Sequence, residues 1–164
     1  MDGNLKIALK RIEKDESDNF LHEISVLSKL QSPFLIHIFG VFSKGDYFYI
    51  ALEYVESNLQ QFQGRYTVSK DELLQIAIDI AHGIKYLHSM NIIHADLKSS
   101  NILITNEKRA KICDFGASKL KSLSSVTYAG PQSAGTRGYK PLELGDKGAK
   151  TTKMSDIFSY GIVL

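Results

Sequence analysis

The hydrophobic period of this chain is mostly that of strands before Val55 and mostly that of helices after it, and that order restricts its possible folds more than any other feature of its 164 residues. Leu5, Ile7 and Leu9 alternate with Lys6, Ala8 and Lys10, the period of two of a half-buried strand. After a charged connection over 13–19, Phe20, Ile24, Leu27 and Leu30 recur on one face of a helix that Pro33 would stop. Residues 36–42 and 47–55 read as two strands joined across Lys44-Gly45-Asp46. Beyond Val55 the period becomes helical. Ser69 and Glu72 form a capping-box pair ahead of Leu73, Ile76, Ala77, Ile80, Ile84 and Leu87, which predicts a long buried helix. Residues 102–104 and 110–113 are short apolar runs around Asn106-Glu107, a small hairpin. Residues 116–138, rich in Ser, Gly and Ala, read as a long functional loop, and 155–164 begin another apolar helix. A sheet-rich first third and a helix-rich remainder predict an α+β architecture of two lobes, crossing at 53–57, with a ligand cleft between them.

Composition removes several alternatives. Twenty Lys and Arg nearly cancel eighteen Asp and Glu, so bulk charge points to neither nucleic acid nor an anionic membrane, and any polyanion site is local. The single cysteine, Cys113, can close no internal disulfide, which fits a reducing compartment; the cytoplasm is the expectation. No apolar run is long enough to span a bilayer, and 1–6 lack the order of a signal peptide. A chain of this length buries roughly 70% of the surface its unfolded form exposes, enough for a sizeable core.

The chemistry gathers around the small hairpin. A hairpin returns the chain to where it left, so Asp96, Asn101 and Asp114 are expected to converge on one edge of the cleft. Three oxygen-bearing side chains so placed suit magnesium, which takes a few protein oxygens together with phosphate oxygens. The segment His94-Ala95-Asp96-Leu97-Lys98-Ser99-Ser100-Asn101 follows the pattern H-R-D-L-x-x-x-N at every defined position except the second, and Asp114-Phe115-Gly116 comes one hairpin later. D-F-G alone is a weak match; in this order it is specific. On these residues the chain resembles the catalytic domain of eukaryotic protein kinases.

The resemblance extends over the whole chain. Ile7-Ala8-Leu9-Lys10 is similar to the family's V-A-I-K, and Glu23 stands on the following helix where the family has the partner of that lysine. Residues 135–143 look like G-T-x-x-Y-x-A-P-E, with Pro141-Leu142-Glu143 in place of A-P-E, and 155–161 look like the opening of the central large-lobe helix, whose aspartate here is Asp156. The resemblance implies ATP and magnesium as cofactors and a protein with a serine or threonine acceptor as substrate. It implies that Lys10 holds the α- and β-phosphates, Glu23 holds Lys10, Asn101 and Asp114 ligate the metal, Asp96 orients the acceptor hydroxyl and takes its proton, and Lys98 joins them in the catalytic set. Ala8, Leu52, Glu53, Val55 and Leu103 would surround the adenine. Lys98 and Thr136 imply serine/threonine specificity, and 96–103 are closest to the tyrosine-kinase-like group. Residues 1–54 would belong to the small lobe and 55–164 to the large lobe. The match starts at the family's third strand and ends within the large lobe, so the resemblance implies a domain without its first two strands and last helices.

Single residues carry little alone. Lys10 by itself reads as a solvated strand lysine and Glu23 as the wet face of an amphipathic helix; their order within the set is what assigns them. His94 reads as a core histidine, and His22, His37, His82 and His88 show no metal-ligand spacing. Ser122, Ser124, Ser125, Thr127, Tyr128 and Ser133 are candidate phosphosites, although Ala95 replaces the arginine that in the family often receives a loop phosphate. Ala95 and the lack of any G-x-G-x-x-G keep a second reading open, a pseudokinase or non-catalytic fragment serving as a binding module.

Overall fold

The structure is a computed structural model that describes residues 5–65, 67–120, 135–145 and 151–164. The six candidate phosphosites lie outside the described residues.

Strand β1, Ile7–Glu13, pairs antiparallel with β3, Tyr47–Glu53, which also pairs with β2, Ile38–Lys44, giving the order β1-β3-β2. Gly45, at φ +58°, makes the turn between β2 and β3. Helix α1, Ser17–Leu27, packs Phe20 on Phe48 of β3 with ring centroids 4.3 Å apart. The alternation in β1 is real, but its phase is opposite to the apolar pattern. Ile7 and Leu9 are 44% and 50% exposed, Leu5 precedes the strand, and Ala8, Lys10 and Ile12 face inward. Leu30 is buried but lies past the end of α1, in a tightening turn closed by Lys29 N–H to Val26 O and Leu30 N–H to Leu27 O.

After β3 the chain forms β4, Ser57–Asn58, and α2, Leu59–Arg65, a short helix that no sequence period announced. Helix α3, Lys70–Ser89, starts at the expected capping box: Glu72 N–H donates to Ser69 Oγ at 3.2 Å, and Ser69 N–H to Glu72 Oε2 at 2.9 Å. Ile76, Ile80, Ile84 and Leu87 form its buried stripe, with Asp79 and Gly83 between them. Leu73, expected in that stripe, is 41% exposed. The small hairpin is β6, Ile102–Ile104, and β7, Ala110–Ile112, in a sheet of order β4-β6-β7. Strand β5, Ile92–Ile93, pairs with β8, Lys119–Leu120. Helix α4, Lys153–Val163, begins behind the reciprocal pair Thr152 and Ser155.

Two sets of contacts fix the hairpin in place. Asp79, fully buried on α3, accepts from Arg109 Nε and Nη2 at 2.7 Å each, from Ala110 N–H at 3.0 Å and from Gln75 Nε2 at 2.9 Å. On the other side, Ile36 N–H donates to Ile112 O and Ile112 N–H to Phe34 O, both at 2.9 Å, so the connection from α1 to β2 is joined to β7 by backbone. Lys111 adds an ion pair to Glu53, 2.8 Å away at the end of β3. The two ends of the hairpin, which carry Asn101 and Asp114, are therefore held against both α3 and the sheet.

Candidate active site

The inward phase of β1 points Lys10 at α1, where Glu23 is 3% exposed. Lys10 Nζ donates to both carboxylate oxygens of Glu23 at 2.8 Å and to Asp114 Oδ1 at 2.9 Å. Burial opposes a charge on Lys10, but the two carboxylates outweigh it and raise its pKa above the ordinary value. Burial pushes the Glu23 carboxyl up, and Lys10 offsets only part of that. Asp114 is also pushed up by burial, but Lys10 more than reverses it and holds the carboxyl below its usual value. Asp114 adopts φ +64°, an uncommon backbone for a non-glycine residue that turns its side chain toward Lys10.

The loop 94–101 forms a second cluster. Asp96 Oδ1 accepts from Thr136 N–H at 2.8 Å and Thr136 Oγ1 at 2.7 Å, and its Oδ2 lies 2.8 Å from Lys98 Nζ and 3.2 Å from Asn101 Nδ2. Lys98 Nζ also donates to Thr136 Oγ1 at 2.8 Å, so that hydroxyl accepts from the lysine while giving its proton to Asp96. The loop itself hangs from Asp156 of α4, which is 1% exposed. Asp156 accepts from His94 N–H at 3.0 Å, Ala95 N–H at 2.9 Å and His88 Nε2 at 2.8 Å. These bonds hold Ala95 at φ +68°. His94 is a core residue as expected: fully buried, it stacks edge-on against Phe115 and donates Nε2–H to Cys113 O at 3.0 Å.

The two clusters meet at the hairpin, where Cys113 N–H donates to Asn101 O at 2.9 Å. The amide nitrogen of Asn101 is committed to Asp96 O at 2.9 Å, which leaves its side-chain oxygen for a ligand. The Asp114 side chain is 46% exposed. Among the described residues no group of three His, Cys, Asp or Glu side chains could hold a metal unaided. One carboxylate and one amide oxygen fit a hard cation that fills its remaining positions with phosphate oxygens and water.

Beside Lys10 opens a cavity of about 340 Å³, lined by Ala8, Leu52, Glu53, Val55 and Leu103 together with Leu27, Ile36, Cys113 and Phe115. Its walls are mainly apolar with charged groups at one end, which fits a flat heteroaromatic ring joined to a polyanion. All the adenine-site residues expected from the sequence lie on this one cavity. Cys113, Leu27, Ile36 and Phe115 were not anticipated there. Cys113 was legible from parity, because the alternation of Ala110, Lys111 and Ile112 along β7 puts position 113 on the face opposite the core. Burial, with the Asp114 charge adding to it, pushes its thiol up to about 12.

A protein kinase domain model matches residues 2–164. The chain belongs to the protein kinase family. This kinase domain is 36% identical over 184 residues to calmodulin-binding receptor-like cytoplasmic kinase 1 of Arabidopsis thaliana, covering 100% of the chain and 37% of that protein. It is 35% identical over 168 residues to chitin elicitor receptor kinase 1 of the same plant, covering 97% of the chain and 26% of the relative. It is 32% identical over 166 residues to the RasGEF domain-containing serine/threonine-protein kinase X of Dictyostelium discoideum, covering 98% and 17%. The chain thus spans between 17% and 37% of the length of these relatives. Protein kinases use ATP and a divalent metal. Among the described residues of this kinase domain no helix is long and apolar enough to cross a membrane.

Proposed function

We propose that this kinase domain catalyses transfer of a phosphoryl group from ATP, with magnesium, to serine and threonine hydroxyls of protein substrates in a reducing, cytoplasmic setting. The observation that carries the reading is Lys10 Nζ bridging Glu23 and Asp114 while Asp96, Lys98 and Thr136 close a second cluster in the loop that leads into the hairpin.

ATP supplies the phosphoryl group, and magnesium neutralises charge on its oxygens. Ala8 above and Leu103 below would enclose the base, with Leu52 as gatekeeper, and the backbone of 53–55 would give it polar contacts. Lys10, kept charged by its two carboxylates, orients the α- and β-phosphates. Asn101 and Asp114 hold the metal. Asp96 keeps Oδ1 on Thr136 and offers Oδ2, whose 3.2 Å contact with Asn101 is its longest, to the acceptor hydroxyl. Lys98 stands 2.8 Å from that oxygen, placed to steady negative charge during transfer.

The test is phosphoryl transfer from labelled ATP to a generic basic protein by the full-length chain, followed by phosphoamino-acid analysis. Transfer to serine and threonine that falls to background in Asp96→Asn and Asp114→Asn is the expected result. Transfer that survives both changes, or nucleotide binding with no transfer at all, overturns it, and the latter result describes a binding module.

A further inference from the structure

Glu23 is joined to Asp114 through Lys10, and the residue before it in α1 reaches the same segment from its other end. His22 Nε2 lies 2.5 Å from Ser118 O. A carbonyl only accepts, so the imidazole carries its proton on Nε2 and donates. Ser118 is fully buried and closes its turn twice: Ser118 N–H and Ser118 Oγ both donate to Phe115 O, at 3.0 Å and 2.6 Å. The turn lies directly on the ion pairs, since a Cβ built on Gly116 would be 3.6 Å from Asp114 Oδ1 and 3.8 Å from both Glu23 Oε2 and Lys10 Nζ. Immediately beyond Ser118 the chain enters β8, whose Lys119 pairs with Ile93, the neighbour of His94.

We propose that His22 is a positioning residue that fixes the turn carrying Asp114 to the helix carrying Glu23, so that the lysine partner and the candidate metal ligand move as one body. The inference rests on the catalytic reading above for its effect on turnover, but the contact itself does not. Two consecutive residues of α1 grip a five-residue segment at both ends. Without the His22 bond, the polar coupling between α1 and the turn among the described residues runs through Lys10, whose side chain is 34% exposed, beside the non-directional packing of Phe115 in the core. Asp114 would then sample arrangements in which it does not face Lys10, and each such excursion removes a competent site without unfolding the domain.

The experiment compares wild type, His22→Leu and His22→Gln in the full-length chain. Leucine keeps the bulk and removes the donor; glutamine keeps an N–H donor at similar reach. Two readouts are taken, amide exchange over 114–119 and steady-state phosphoryl transfer. In His22→Leu, exchange over the segment rises about fivefold, the ratio that one net hydrogen bond controls, and kcat falls by no more than that ratio, while KM for ATP moves less. His22→Gln restores most of both. If His22→Leu does not fold, His22→Asn, whose shorter amide does not reach, takes its place with the same expectation. Wild-type exchange in the leucine variant, or a glutamine variant as impaired as leucine, overturns the proposal. If the wild-type chain transfers no phosphate, the catalytic reading fails and the exchange comparison still decides the role of His22.

Discussion

Gly83 of α3 faces Ile112 of β7 with no room for a methyl group between them. A Cβ at Gly83 would lie 2.8 Å from Ile112 Cδ1 and 3.2 Å from Phe34 O. The backbone oxygen cannot yield, because Phe34 is held to Ile112 by its own hydrogen bond. Alanine in place of a mid-helix glycine normally gains about 1 kcal/mol, whereas overpacking a tight core costs about 1–3 kcal/mol. Gly83→Ala is therefore expected to destabilise the domain by about 1–2 kcal/mol in urea unfolding. Adding Ile112→Val should recover part of the loss, and a double mutant no better than the sum of its parts would place the clash elsewhere.

Removing the Asp156 carboxylate strands two backbone donors. In Asp156→Ala, the N–H groups of His94 and Ala95 lose their acceptor, at a cost of about 1–3 kcal/mol each if neither is rehydrated. The Asp156 bond to the Ala95 N–H supports its φ of +68°. Thermal unfolding should report the loss, and phosphoryl transfer should fall further than stability predicts, because Asp96 follows Ala95 directly. Unchanged transfer by the folded fraction would refute this link.

The Asp79 to Arg109 tie gives a pH signature. Burial works to raise the Asp79 carboxyl, but Arg109, the Ala110 amide and Gln75 outweigh it and hold it below its ordinary value. A folded pKa lower than the unfolded one means that the folded state binds fewer protons. The stabilisation is thus complete above the usual carboxylate range near pH 4 and disappears as pH falls through the lowered folded value. Asp79→Asn should cost about 2–3 kcal/mol at pH 7, tempered by the half-exposed Arg109, and the gap to wild type should narrow below about pH 4. A gap independent of pH would remove the charge from the explanation.

Cys113 lines the cavity yet should be a poor nucleophile. With its thiol at about 12, almost none is thiolate at pH 8. Alkylation of the folded chain should run more than about tenfold slower than that of free cysteine, and unfolding should abolish the difference. Rapid native-state labelling would contradict the burial of the sulfur.

The sequence carried the active-site residues further than it carried the sheet. The loop 94–101 and Asp114 were legible because they resemble the family's H-R-D-L-x-x-x-N and D-F-G patterns with a hairpin between them, and the capping box at Ser69 and Glu72 marked the start of α3 for local reasons. The phase of β1 was not legible from hydropathy: Ile7 and Leu9 are its most apolar residues but face outward, since Lys10 must turn inward to its two carboxylates. Helix α2 escaped notice because only Leu59 and Phe62 are buried along it, too few to set a period. The bonds of His22 and Thr136 were hidden for another reason, as each spans dozens of residues and depends on folding alone.

Helix α1 is anchored unequally, heavily at its carboxyl end and, at the other, by Phe20 stacked on Phe48 of β3. Val26, Leu27, Leu30 and Leu35 are buried at the carboxyl end, and the backbone of the connecting segment is fastened to β7, whereas Asp18 and Asn19 at the other end are exposed. The stiffest support of the helix therefore lies beyond Leu27, and a tilt would pivot there. Glu23 lies about 6 Å along the axis from Leu27, so a tilt of only about 10° displaces its carboxylate by about 1 Å, enough to break the contact with Lys10. Such a tilt must also slide Phe20 across Phe48, so the stacking of two rings that never touch the cavity guards the ion pair inside it.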